Sequence, residues 1–272
     1  MPSELEVRDF NTQIFFTTSR IHVAWPGGQS IGTGFLCVVP LEESGSVEGP
    51  VMRFLVSNRH VFVNPSYSIS FGFHQNRPRT REPDVSNWNE HRLDDFSAVY
   101  FAHPDSAVDL ACINVTGFTG DEHGVYTKQT PIDRLIELDL STIAPGEEIW
   151  YAGYPDGLFD QVNNLPILRK GFLASIPTVP FNGRPQILAD ANIQSGSSGS
   201  PVYISLDHTF HFLGVVTEQM VMRPELNLAN AQEGEENFVE LSLGLGLVLR
   251  GELVFELLSM ARNHFNSMIA SH

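Results

Sequence analysis

The chain has 272 residues, with 32 Asp and Glu against 16 Lys and Arg, a formal charge of −16. That balance repels phosphate backbones and argues against a nucleic-acid partner; its plainest use is solubility. At 42% hydrophobic residues, with 22 glycines and 17 prolines, the composition is that of a turn-rich globular protein of one large domain or two small ones.

The opening stretch, MPSELEVRDF, lacks the apolar core of a signal peptide. Six short apolar or alternating runs follow: RIHVAW, GTGFLCVVP, MRFLVSN, YSISFGF, SAVYFA and DLACINV. Bounded by Gly, Pro, Asn or Asp, they predict strands. Between the fourth and fifth, Gln75 to Asp95 is polar and without period, and reads as a long loop. Residues 116–146 read as a connector. Six further strands are predicted at EEIWYAGYP, ILRKGFLAS, PQILAD, SPVYISL, FLGVVTE and LGLGLVL. Twelve short strands in an even split predict an all-β protein of two six-stranded halves.

Beyond Arg250, Val254, Leu257, Leu258, Ala261, Phe265 and Met268 share one helical face, which predicts an amphipathic C-terminal helix packed on the second half. The longest apolar run, LSLGLGLVL, is far short of a bilayer span. The expected location is the cytoplasm, with no membrane partner. Cys37 and Cys112 lie in apolar strands and read as buried thiols rather than a disulfide.

Three stretches carry chemistry. In DANIQSGSSGSPV, six small residues run from Ser195 to Ser200. A turn this rich in glycine lets a ligand approach the backbone closely. The amides of Gly196 and Ser198 could then face a developing oxyanion, with Ser198 as the nucleophile. A serine hydroxyl is almost never ionised near neutral pH, so it needs a base and a group to orient that base. His60, where the strand in FLVSNRHVF gives way to a turn, offers the base. Asp109, leading into the apolar run LACINV, offers a carboxylate whose burial calls for a partner such as an imidazolium. Asp94, Asp95 and Asp105 suit solvated roles instead. His208 and His211 are the only closely spaced histidines and lack a third ligand nearby, so no metal or other cofactor is expected.

In the order His, Asp, Ser, the sequence resembles the trypsin-like (chymotrypsin-fold) serine proteases, in particular the bacterial HtrA-like and V8-like branches. GTGFLC, LVSNRHV, DLACINV, GEEIWYAGYP, DANIQSGSSGSPV, FLGVV and LGLGLVL carry the likeness. The resemblance implies two six-stranded antiparallel β-barrels and a C-terminal α-helix. The N-terminal barrel would span residues 1–120 with His60 and Asp109, the connector 121–140, the C-terminal barrel 141–250 with Ser198, and the helix 251–272. It also implies a first specificity pocket lined by Asn192, Ile193, Val216 and Thr217, suited to a medium-sized apolar side chain, with Glu218 nearby. Two departures matter. Ser197 stands where many relatives have an Asp that pairs with a new N-terminus, and Ser200 replaces a common second glycine. HtrA proteases usually carry a PDZ domain after the protease; none follows here, so their chaperone roles are not carried over. The functional expectation is a serine endopeptidase acting on a specific protein substrate. The alternatives are a latent or silent binding module on the same fold, controlled by a partner protein, and an esterase with the same residues.

Overall fold

The first hairpin shows how the sequence builds this molecule. Ile21 and Val23 alternate with polar residues along β1 (Thr18–Trp25) and are fully buried. Pro26 then fixes one turn angle and Gly27 adopts φ +95°, the type II pattern, so the chain reverses into β2 (Gly28–Pro40) with Trp25 opposite Gly28. The computed structural model describes residues 7–78, 80–119, 123–207, 209–222 and 240–270. A short helix, α1 (Phe10–Gln13), precedes β1 and is capped by the Asp9 carboxylate, which accepts from the Thr12 amide.

The N-terminal sheet continues with β3 (Val51–Ser57), the four-residue helix α2 (Arg59–Phe62), β4 (Ser68–Asn76), β5 (Pro83–Leu93), β6 (Tyr100–Ala102) and β7 (Ala111–Asn114). Its strand order is β5-β4-β1-β2-β3-β7-β6. Two short strands from the stretch expected to be a connector join it: β8 (Val125–Tyr126) pairs with β4, and β9 (Thr130–Pro131) pairs in parallel with β2. The second half is β10 (Glu148–Gly153), β11 (Ile167–Leu173), β12 (Gln186–Asp190), β13 (Pro201–Leu206), β14 (Thr209–Met222) and β15 (Leu241–Arg250). These close into a six-stranded antiparallel barrel, order β10-β11-β12-β15-β14-β13. The all-β architecture expected from the sequence is therefore present. It consists of one closed six-stranded barrel and a nine-stranded sheet.

One expectation is corrected. Gln75 to Asp95 is not a long loop, because β5 occupies most of it and pairs with β4 from Ile69↔Leu93 to Asn76↔Pro83. β5 ends the sheet and has one neighbour, and all but one of its residues are exposed or only part-buried, with no apolar alternation. A register shift between His74 and Gln75 blurs the pattern further.

The helix α3 (Gly251–Ala270) follows β15 directly. Val254, Leu257, Leu258, Ala261 and Phe265 are buried as the periodicity requires, whereas Met268 is exposed. Contrary to expectation, α3 does not pack on the second half alone. Its buried face shares one core with Phe54, Leu110 and Cys112 of the N-terminal half and with Val215 and Leu249 of the barrel. The Phe265 ring lies 5.9 Å from that of Phe54, and Asn266 Nδ2 donates to the Leu41 carbonyl at 2.9 Å. A second core fills the N-terminal sheet around Phe71, Leu55 and Ile113, and a third fills the barrel around Tyr151, Ile187 and Val248. No described helix is long and apolar enough to cross a membrane.

Candidate active site

β3 and β7 are antiparallel neighbours, with Ser57 opposite Ala111. That register places the residues just after β3 beside those just before β7. Asp109 is held there by its own backbone, since its carbonyl accepts from Asn58 Nδ2 at 2.9 Å and from the Arg59 amide at 3.3 Å. α2 then starts at once and turns His60 back over Asp109. The His60 amide donates to Asp109 Oδ1 at 3.0 Å, and ring Nδ1 lies 2.6 Å from Oδ2. Oδ2 accepts a further bond from Thr217 Oγ1 at 3.1 Å, across from the barrel. Burial by itself would raise the Asp109 pKa, but the His60 ring, the His60 amide and the Thr217 hydroxyl outweigh it and hold the carboxyl below its ordinary value. An ionised Asp109 obliges Nδ1 to carry the proton, which leaves Nε2 free to accept one.

Ser198 sits in the turn between β12 and β13. The Ser197 amide donates to the Gln194 carbonyl at 3.0 Å and Gly196 has φ +82°, a type II turn in which glycine fills the left-handed position. The Ser200 amide then donates to the Ser197 carbonyl at 3.0 Å. N–H and C=O of one peptide point opposite ways, so this bond turns the Ser198 amide away from the loop interior. Among the described residues, the amides of Gly196 and Ser198 donate to no protein acceptor. Gly199 is also left-handed, φ +87°, and a Cβ there would lie 1.9 Å from the Thr33 carbonyl. Ser200 fits in place of a glycine because it faces one: a Cβ on Gly153 would lie 2.1 Å from Ser200 Oγ.

His60, Asp109, Ser198 and Thr217 all line one cleft of about 640 Å³. Within it the Ser198 hydroxyl donates to the Thr217 carbonyl at 3.3 Å. The structure thus brings together the three residues singled out from sequence, and adds Thr217 as a third donor to Asp109. That role escaped the sequence reading because Thr217 opens a run of three polar residues, Thr217 to Gln219, with nothing in the sequence to mark one of them out.

The expected specificity pocket needs revision. Of its four residues only Thr217 lines the cleft. Val216 alternates with Thr217 and points into the barrel core. Ile193 is buried there too, over Gly246, where a Cβ would lie 2.1 Å from Ile193 Cδ1. Asn192 is exposed, and its carbonyl accepts from Arg169 at 2.7 Å. Gln194, Ser195, Glu218 and Gln219 line the cleft instead, together with apolar Ala107, Val108, Leu249 and Leu253. Further along the cleft lie Arg184, His103 and Glu256, with His103 Nε2 3.6 Å from the Glu256 carboxylate. No sequence signal pointed to these, since Glu256 belongs to α3. Among the described residues no group of three His, Cys, Asp or Glu could hold a metal; His208 lies outside them.

No protein-family model matches the sequence, and no curated protein matches it. Solved structures do match by fold. The HtrA-type protease AlgW with a tripeptide superposes with a TM-score of 0.55 at 14% identity, over 93% of this chain and 62% of that one. A serine endoprotease from Yersinia pestis gives 0.50 at 13%, over 92% and 64%. The protease of tobacco vein mottling virus gives 0.50 at 12%, over 90% and 81%. The chain thus has the chymotrypsin-like fold of HtrA-type and viral proteases, and spans under two thirds of the length of the first two.

Proposed function

We propose that this chain is a serine endopeptidase that works through an acyl-enzyme. The observation that carries the reading is the pairing of His60 with Asp109 through both its amide and its ring, in the same cleft as Ser198 and its two unengaged amides. His60 Nε2 takes the Ser198 proton as Oγ attacks the scissile carbonyl, and the Gly196 and Ser198 amides bind the resulting oxyanion. The imidazolium, stabilised by Asp109, gives its proton to the leaving amine. Water then enters, loses a proton to His60 and releases the acid by the same route in reverse. The nucleophile of this chain is a serine, which separates it from cysteine variants of the same geometry. Substrate is a protein or peptide laid along a cleft of mixed polar and apolar lining.

One observation favours a second reading. The Ser198 hydroxyl rests on the Thr217 carbonyl and not on His60, as it would in a protease-fold module that stays latent until a substrate or regulatory protein re-aims it. Labelling by a fluorophosphonate, compared between wild type and Ser198→Ala, tests both readings. Labelling of the wild type alone supports the peptidase. Its absence under all conditions, with the protein folded, favours the silent module. A lysate digest separates a selective enzyme, which cleaves few proteins, from a broad one.

A further inference from the structure

Thr33 lies in β2, in the half of the molecule opposite the nucleophile, and is fully buried. Its amide donates to the Ser198 carbonyl at 2.9 Å. Its hydroxyl is 2.9 Å from the Gly196 carbonyl and 3.0 Å from the Tyr154 amide. A carbonyl can only accept and a backbone N–H can only donate, so the single hydroxyl proton must point at Gly196. The Thr33 carbonyl in turn accepts from Ser57 Oγ at 2.7 Å. One residue thereby grips the carbonyls on both sides of the Ser197 residue, and its own frame is tied to β3 and to the end of β10.

We propose that Thr33 is a positioning residue for the oxyanion-binding turn: by holding the Gly196 and Ser198 carbonyls it docks the turn on the N-terminal sheet and so sets where the Gly196 and Ser198 amides sit in the cleft. The inference rests on the peptidase reading and deepens it. The Gly196 carbonyl lies in the same peptide as the Ser197 amide, so Thr33 and the Gln194 carbonyl hold that peptide from opposite sides. With the Ser198 carbonyl also held by the Thr33 amide, the turn is braced against the N-terminal sheet at two points. Because Thr33 belongs to the N-terminal sheet, the donor pair is complete only where the two halves meet.

Thr33→Val keeps the shape and removes the hydroxyl; Thr33→Ser keeps the hydroxyl. Loss of an oxyanion donor lowers kcat by ~10²–10³-fold, so a misaimed one should cost roughly 10–100-fold in kcat with little change in KM. Affinity for a peptide aldehyde should fall in step, and Thr33→Ser should recover most of both. Unchanged kcat in Thr33→Val, or a loss that falls on KM alone, overturns the inference. If Thr33→Val does not fold, the wild-type crystal structure with the aldehyde decides: the inference requires the Thr33–Gly196 bond to persist in the occupied site, and fails if the Gly196 carbonyl has turned away. If the wild type cleaves nothing, the peptidase reading is what fails. The crystal structure of Thr33→Val then tests the inference separately, since a turn from Gly196 to Ser198 that stays unmoved against β2 would overturn it.

Discussion

Asp109 shows best what a single residue decides in this cleft. It receives three bonds from His60 and Thr217 and so stays ionised although it is partly buried. Asp109→Asn would present a donor as well as an acceptor to His60 and favour the wrong tautomer, so turnover should drop by ~10⁴-fold near neutral pH. Asp94→Asn, at a fully solvated site, should change it by less than about tenfold. Single-turnover acylation with an activated ester measures both, and a larger loss at Asp94 would move the third member elsewhere. Ser198→Ala should lower turnover by ~10⁶-fold with no change in melting temperature, and activity surviving in it would remove Ser198 from the mechanism. The carboxyl also carries a pH signature. Its folded pKa lies below the unfolded value, so its stabilisation is present above the ordinary carboxylate range and is lost as pH falls through the lowered value. The melting temperature of Asp109→Asn should therefore depend less on pH in that acid window than that of wild type; parallel curves would contradict the assignment.

Among the elements, the strands that carry an apolar or alternating run were readable and those without one were not. All twelve expected strands exist, because each carries an alternating or continuous apolar run in the sequence. β5, β8 and β9 were missed for the opposite reason: β5 is a solvated edge, and the other two are two-residue pairings with no pattern to show. The three candidate residues His60, Asp109 and Ser198 were legible because each abuts a strand end marked by an apolar run. The specificity wall was not, since a one-residue difference in strand phase sends Val216 inward and Thr217 outward. The nucleophile turn has its own requirement. Gly199→Ala would combine a left-handed φ with a Cβ 1.9 Å from a backbone oxygen, so it should destabilise by more than about 2 kcal/mol and lose activity. Urea unfolding and peptide turnover check this together, and a stable, active variant would mean that the turn can relax.

At the scale of the whole molecule, α3 and the seam make one cooperative unit from two halves. The core beneath α3 draws on both halves, so neither can open without exposing it. Phe265→Ala should destabilise by about 3–5 kcal/mol, whereas Met268→Ala, on an exposed position, should stay within about 0.5 kcal/mol. Trp25 and Trp88 report on the N-terminal sheet and Trp150 on the barrel. Variants keeping only one of them should unfold with coincident midpoints, and separate midpoints would show two independent halves. The position of α3 also sets the order of events on the ribosome. His60 and Asp109 are made early, Ser198 much later, and the helix that covers Phe54, Leu110 and Cys112 later still. Domains fold as they emerge, first half first. A nascent chain therefore carries His60 and Asp109 without Ser198, and then Ser198 above a core still uncovered. On the peptidase reading, synthesis itself would delay competence until the helix has left the exit tunnel and closed the seam.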